Sequence, residues 1–180
     1  GKTTAMNILT TLMPPTSGAA TVAGFDVVHE RDQVTRRIGY LPADVRFYGY
    51  MTAAENLEFL AKLSGVEDPR RAVAETLAYL EAEDLANLRM STFSTGMRHR
   101  IGIAQAVLHR PEVLFLDEPT AGLDPFGVRQ LRETIVRRGD IHFSKPRVVT
   151  LTQATEVGTV YRPAEVAAIA RTGASVVMCP

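Results

Sequence analysis

The start of the chain has the apolar spacing of a helix. Between Thr3 and Leu12, apolar residues recur on one helical face at Ala5, Ile8, Leu9 and Leu12. The segment Met13–Gly18 contains two prolines and a glycine, which end helices. The pattern predicts a buried helix followed by a turn.

Short extended and charged segments alternate over the next residues. We predict strands at Ala20–Ala23 and Ile38–Leu41, where apolar and β-branched residues cluster. Between them, the charged segment Glu30–Arg37 is typical of a helical turn.

The middle of the chain is predicted to be mostly helical. Thr52 and Glu55 have the spacing of a capping box, in which a hydroxyl and a carboxylate satisfy backbone donors at a helix start. Leu57, Leu60 and Leu63 follow at helical spacing, and Asp68–Leu88 repeats the pattern. We therefore expect an inserted helical subdomain over about residues 52–110, with no strand inside it.

A continuously apolar run, Val113–Leu116, ends at the acids Asp117 and Glu118. Such a run is typical of a strand buried on both faces of a parallel sheet. A helix at 128–138 and strands at 148–151, 166–170 and 175–178 are predicted to follow. The alternation of strands and helices predicts a single α/β domain over residues 1–180.

Composition limits the partners. The 180 residues balance 20 basic against 20 acidic side chains, so no overall field attracts nucleic acid, and no nucleic-acid partner is expected. The single cysteine, Cys179, favours a reducing compartment, and the cytoplasm is the expected location. No apolar run reaches the length of a membrane span, so membrane attachment would need a partner.

The four histidines are predicted to be surface residues: His29, His99, His109 and His142.

Gly1-Lys2-Thr3-Thr4 stands at the start of the first predicted helix and matches the end of the phosphate-loop pattern G-x-x-x-x-G-K-[ST]. Backbone donors at a helix start attract phosphate, and a lysine adds a full cation. Thr3 could then bind magnesium. On these four residues alone, an ordinary helix start with a solvated lysine remains an alternative.

The acids at the end of the apolar run suit two roles. Asp117 can hold magnesium, and Glu118 can act as the general base that polarises water, which contributes about 10²- to 10⁴-fold in rate. This is a Walker B interpretation. A solvated strand end is the alternative.

Two longer segments carry a family resemblance. Asp117–Pro125, which reads DEPTAGLDP, resembles the Walker B and D-loop block of ABC transporter ATPases, and Phe93–Met97 resembles their signature loop. The resemblance implies a P-loop NTPase (ABC ATPase) sandwich with an inserted, mostly helical signature subdomain. It also implies a second ATP-binding subunit, because in this family the signature residues, here Ser94, Thr95 and Gly96, contact ATP held by the opposite subunit.

The resemblance implies roles for the remaining site residues. Gly1, Lys2, Thr3 and Thr4 would bind ATP, Thr3 and Asp117 would hold Mg²⁺, Glu118 would be catalytic, and Asp124 would couple the two sites. Pro15–Gly18, Ile38–Pro42 and Met51–Leu57 are similar to subunits that pair with separate membrane proteins exporting drugs, lipids or polysaccharides (the ABC-2 type). We therefore expect transmembrane permease partners and a peripheral place on the inner face of the cell membrane.

The sequence departs from the family pattern at several positions. Ala43 occupies the place of the Q-loop glutamine, with Asp44 one position late, and Gln153 occupies the place of the catalytic switch histidine. Thr95 replaces a glycine of the signature loop. Glutamine can hydrogen-bond phosphate but cannot titrate near neutral pH. A degenerate ABC module with little hydrolysis and a soluble ABC ATPase without a transport role therefore remain alternatives.

The match to the family begins inside the phosphate loop, with Gly1-Lys2-Thr3-Thr4. We expect the first strand, the adenine-stacking aromatic residue and most of the phosphate-binding amides to be missing from this sequence. By itself the chain would then bind ATP poorly and expose a sheet edge that favours aggregation.

Overall fold

A computed structural model describes residues 2–117 and 147–151 of the chain, with side chains for residues 4–117. Its helices and strands, in chain order, are α1 (Lys2–Leu9), β1 (Thr21–Val22), β2 (Phe25–Asp26), α2 (Arg31–Thr35), β3 (Ile38–Leu41), α3 (Ala53–Leu63), α4 (Pro69–Tyr79), α5 (Thr95–Val107), β4 (Val113–Asp117) and β5 (Arg147–Leu151). Short 3₁₀ turns at Glu83–Leu85 and Met90–Thr92 join α4 to α5.

The central feature is a parallel sheet with the strand order β3-β4-β5. Ile38 pairs with Val113, and Val113 pairs with Arg147. The three strands are parallel, and their first residues are therefore aligned. Every residue of β4 is buried. The predictions of a doubly buried strand at 113–116 and of strands at 38–41 and 148–151 are confirmed.

Alternating residues of β3 and β4 divide the core between the two faces of this sheet. Val113 and Phe115 pack in one cluster with Met6 of α1. Leu114 and Leu116 pack in a second, larger cluster with the helices that follow β3. This alternation follows from the period of two along a strand, and we call the two surfaces the α1 face and the α5 face.

Helix α1 is shorter than the apolar pattern indicates. It ends at Leu9, and Thr11 then adopts a left-handed backbone with φ of 64°. The expected inward face is wrong in part: Met6 is the fully buried residue, and Leu12 is 60% exposed. The early end of the helix turns Leu12 away from the face on which helical periodicity would place it.

The segment predicted as one strand at 20–23 is the first half of an antiparallel hairpin. Thr21 pairs with Asp26, and the two-residue turn Ala23-Gly24 has φ values of 52° and 86°. Two positive φ values identify a type I′ turn, which matches the twist of a hairpin. The helical turn predicted between residues 30 and 37 is confirmed as α2.

The predicted helical block is confirmed between residues 52 and 110. Thr52 caps α3, with its hydroxyl accepting from the amide of Glu55 while the Glu55 carboxylate accepts from the amide of Thr52. Asp68 caps α4 with a single bond, in which its carboxylate accepts from the amide of Arg71. No strand of a sheet lies inside the block, and only an isolated bridge joins Thr52 to Arg89.

Candidate functional site

Helix α1 spans Lys2–Leu9, and Lys2 is the first residue that the structure describes. The backbone places Lys2 and Thr3 in its first turn, and Thr4 is exposed. The first amides of a helix have no partner within the helix and carry a partial positive charge. The beginning of α1 can therefore accept an anion.

Asp117 is the last residue of β4 and lies on the α1 face. Val113 and Phe115, two and four positions earlier, pack against Met6 of α1, and Asp117 continues the same alternation. The residue is only 7% exposed, so the alternative of a solvated strand end is wrong for this carboxylate. The structure brings a buried acid to the face of the sheet that the candidate phosphate helix covers.

Tyr40 lies beside this acid on the neighbouring strand. It pairs with Phe115 and so shares the α1 face. Burial, and then the charge of Asp117, raises the pKa of the Tyr40 phenol. The phenol therefore stays neutral at physiological pH, and the sequence pattern did not single this residue out.

The predicted signature residues lie at the start of α5. Ser94 is the N-cap residue, and its hydroxyl oxygen accepts from the Met97 amide at 3.3 Å. Thr95 and Gly96 follow in the first turn; Ser94 and Thr95 are exposed, and Gly96 is partly buried. The cap uses one acceptor position of the hydroxyl, which keeps its proton for donation to another group. Capping and phosphate contact are therefore compatible at Ser94.

The segment after β3 has its own fixed geometry. Ala43, at the predicted Q-loop position, is exposed, and Asp44 forms an ion pair with Arg46 at 2.8 Å. Further on, the buried amide of Asn56 accepts from the Tyr48 amide and donates to the carbonyl oxygens of Tyr48 and Thr52. Asn56 thus holds the segment against α3.

The hydrogen bonds of Asn56 hold in place an exposed aromatic surface that sequence analysis did not predict. Tyr48 contacts Phe59 edge to face, with ring centroids 5.7 Å apart, and Tyr50 with centroids 6.0 Å apart. Tyr50 is 75% exposed. The rings border an open groove of about 710 Å³ whose lining also includes Met51, Glu55, Glu58 and Lys62. The available sequence signal was Asn56, a polar residue next to Leu57 on the buried side of a predicted helix.

The prediction that the histidines lie at the surface is wrong at two positions. His99 is 4% exposed, and its Nε2 has no hydrogen-bond partner. His109 is partly buried, with Nε2 2.8 Å from the carbonyl oxygen of Ile38. Both lie on or just after α5, where tertiary packing encloses side chains that the local pattern leaves undecided. His29 is exposed, as predicted, and His142 lies outside the described residues.

Four predicted site residues lie outside the part of the chain that the structure describes: Gly1, Glu118, Asp124 and Gln153. Among the described residues, no group of three or more His, Cys, Asp or Glu side chains could hold a metal ion by itself. The helices of the same part of the chain are all too short or too polar to span a bilayer.

A parallel sheet with a buried acid at a strand end, next to a helix that starts with Lys-Thr, is typical of phosphate-binding α/β proteins. The family model described as ABC transporter matches residues 1–121. The chain therefore belongs to the ABC transporter family.

Similar proteins of known sequence include two bacterial ATP-binding proteins. The chain is 40% identical over 135 residues to the bacitracin transport ATP-binding protein BcrA of Bacillus licheniformis, covering 75% of this chain and 44% of that protein. It is 36% identical over 137 residues to the linearmycin resistance ATP-binding protein LnrL of Bacillus subtilis, with the same coverage of 75% and 44%. The chain thus spans less than half the length of these relatives.

Solved structures agree with this fold. The dimeric structure of MJ0796, a bacterial ABC transporter cassette, matches with a TM-score of 0.66 at 26% identity, covering 75% of this chain and 63% of that one. A post-hydrolysis state of MJ0796 bound to ADP and phosphate matches with a TM-score of 0.71 at 25% identity, covering 85% and 70%. The prediction of an ABC ATPase fold is confirmed.

Proposed function

We propose that the protein containing this chain is the ATP-binding and ATP-hydrolysing subunit of an ABC exporter, driven by ATP-dependent closure of a dimer. The observation that carries the proposal is the position of Asp117, a buried acid at the end of β4 on the face covered by α1. Family membership and the relatives named for bacitracin transport and linearmycin resistance support it.

The residues divide the chemistry between two subunits. Gly1, Lys2, Thr3 and Thr4 would bind the phosphates of ATP in one subunit, and Ser94, Thr95 and Gly96 of the other subunit would close over them. Glu118 would take a proton from the attacking water, Gln153 would hydrogen-bond the terminal phosphate, and Asp124 would couple the two sites. The amides and hydroxyl at the start of α5 suit a phosphate, because they present donors at a helix start.

Magnesium is part of this proposal. A buried carboxylate and a threonine hydroxyl are the hard oxygen ligands that Mg²⁺ prefers, so Asp117 and Thr3 fit the ion. When bound, the ion would neutralise charge on the phosphate oxygens. The chain's own part is to present Asp117 from a rigid, fully buried strand.

The decisive experiment is Glu118→Gln in the full-length protein. We expect ATP hydrolysis to fall by at least about 10²-fold, because the general base is lost, while ATP stays bound in a stable dimer. Turnover is measured by phosphate release and the dimer by size-exclusion chromatography with ATP. The matched control is Glu112→Gln at the other end of β4, where the carboxylate pairs with Arg37 at 3.2 Å and should not affect turnover.

Hydrolysis that persists in Glu118→Gln would remove the base assignment. A parent protein that binds ATP without hydrolysing it would instead favour a degenerate module, for which Ala43 and Gln153 are the motivating residues.

The membrane partner is proposed from the aromatic surface. Tyr48, Tyr50 and Phe59 are partly or largely exposed, and Glu55 and Glu58 border them, so an apolar segment with basic residues on a permease subunit fits the groove. Such a partner would hold the protein at the inner, cytoplasmic face of the cell membrane. Tyr50→Ser should abolish co-purification with the permease but keep ATP turnover, whereas Leu88→Ser, at an exposed apolar residue outside the groove, should keep both. Unchanged co-purification of Tyr50→Ser would reject this surface.

A further inference from the structure

The C-terminal half of α5 lies in close contact along β3. A side-chain carbon at Gly39 would overlap the carbonyl oxygen of Ala106, and one at Gly102 would stand 2.7 Å from Cδ1 of Leu41. Helix and strand therefore approach each other as closely as glycine permits. The contacts proceed in opposite directions along the two elements, so α5 is antiparallel to β3.

His109 completes this contact at the outer edge of β3. The carbonyl oxygen of Arg37 accepts from the amide of Val113 and so points toward β4. Successive carbonyls of a strand point to opposite edges, which directs the Ile38 carbonyl away from β4. It accepts from Nε2 of His109 at 2.8 Å. A side chain just beyond α5 thus bonds a carbonyl that the described strands β3, β4 and β5 do not use.

The imidazole is suited to this single bond. Burial lowers the pKa of His109, and the bond to Ile38 opposes that shift only in part. The ring is therefore neutral at physiological pH, and the tautomer with the proton on Nε2 donates to the carbonyl.

The other end of the same helix carries the candidate signature loop. Helix α5 has 13 residues and is about 20 Å long. The close approaches to β3 lie at Gly102 and Ala106, and Ser94 lies eight positions, or about 12 Å, before the first of them. A small change in the tilt of α5 about the middle of this contact would therefore displace Ser94 and Gly96 more than it displaces His109.

We propose that His109 is a positioning residue for the signature loop: its hydrogen bond to Ile38 fixes the tilt of α5 on β3, and thereby the placement of Ser94 and Gly96 on the nucleotide of the partner subunit. The proposal rests on the proposed ATPase function. It predicts a defect in the step that needs both subunits, with nucleotide binding to the phosphate loop of the same subunit preserved.

The experiment compares His109→Leu, which removes the donor, with His109→Gln, which keeps an N–H near the same place, in the full-length protein. We expect His109→Leu to lower kcat and ATP-dependent dimer formation by about tenfold, as for the loss of one buried hydrogen bond, with the Kd for ATP within about twofold of the parent. His109→Gln should recover most of both. His29→Leu is the control, because His29 is exposed and its imidazole pairs with Asp26, three positions earlier, rather than with the sheet.

A merely structural role would give a different result. It would lower kcat and ATP affinity together in His109→Leu, in proportion to the folded fraction measured by circular dichroism, and that outcome would overturn the proposal. Unchanged kcat in a folded His109→Leu protein would overturn it as well.

A readout without turnover separates this proposal from the proposed function. The amides of Met97 and Arg98 bond to the hydroxyl and carbonyl of Ser94, so their hydrogen exchange reports on the signature loop directly. We expect faster exchange at these amides in His109→Leu and parental exchange in His109→Gln, even if the parent does not hydrolyse ATP. Parental exchange at both amides in His109→Leu would reject the positioning role whatever the ATPase assay shows.

Discussion

The two faces of the parallel sheet are built from alternating residues of the same strands but differ in composition and in what packs against them. On the α1 face, Tyr40 and Asp117 accompany Val113 and Phe115 under the helix that starts with Lys2. On the α5 face, Leu114 and Leu116 enter a large apolar cluster with α3, α4 and α5. The first face carries the polar side chains of the candidate site, and the second connects the sheet to the helices, among them α5 with the candidate signature residues. One buried strand, β4, therefore contributes side chains both to the candidate site and to the packing of the helices.

The largest effect is expected at the contact between β3 and α5. Gly39→Ala places a methyl group against the backbone carbonyl of Ala106, which no side-chain rotation can relieve. We expect the free energy of unfolding to fall by about 3 kcal/mol or more, measured by urea denaturation of the full-length protein.

Gly49→Ala is the control for that substitution. Its nearest neighbour would be Cβ of Ser91 at 3.6 Å, an ordinary contact, so stability should change little. Equal stability of the two variants would show that α5 can move away from β3, which would weaken both the contrast between the faces and the role given to His109.

A smaller effect, of opposite sign, is expected at the end of α1. Thr11 has a φ of 64°, which is strained for a β-branched residue, and its buried hydroxyl has no hydrogen-bond partner. Thr11→Gly should therefore raise the free energy of unfolding by about 1 kcal/mol, as the strain and the unsatisfied hydroxyl outweigh the added freedom of the unfolded chain.

The adjacent residue gives the matched comparison for Thr11. Thr10 donates its hydroxyl to the carbonyl of Met6 at 2.7 Å and has no positive φ, so Thr10→Gly should destabilise the protein. If thermal unfolding shows Thr11→Gly to be destabilised as well, the strain assigned to the end of α1 is wrong.

The smallest effect is a pH dependence associated with the α5 face. Burial lowers the pKa of His99 and of His109, so the folded chain binds fewer protons than the unfolded chain, whose histidines titrate near 6.5. Their contribution to stability is complete above that pH and is lost as the pH falls below it. The urea midpoint should therefore be lower at about pH 5.5 than at about pH 7.5.

The pH dependence between about pH 5.5 and 7.5 can be separated from the titration of carboxylates. The pKa values of Asp26 and Glu75 are lowered by hydrogen bonds, from the His29 amide and from Arg71 respectively, so both carboxylates stay charged in this window. His99→Leu should reduce the pH dependence. An unchanged slope in His99→Leu would exclude this imidazole as a source.

Local pattern predicted several elements and the outline of the site. The capping box at Thr52 and Glu55, the buried strand ending at Asp117 and the helix start at Lys2 all follow from neighbours a few residues apart. The reversal at Thr11 was missed, because helical periodicity continues through Leu12 while the backbone does not.

The environment of a residue that packs against distant segments could not be predicted from the local sequence pattern. Asn56 reads as a polar helix residue until its amide is seen bonding to Tyr48, eight positions away. His109 reads as a surface residue until Ile38, 71 positions away, is placed beside it. Sequence gives spacing along an element, and such pairs depend on how elements pack.

The sequence by itself determined the type of most described elements, the family and the residue types for phosphate and magnesium, because periodicity, caps and motifs are short-range properties. Only the tertiary structure decided the strand order β3-β4-β5, the shared face of Asp117 and α1, and the close contact of α5 with β3. These features depend on which long-range pairings bury apolar area without backbone overlap. That choice is made by the packed chain as a whole.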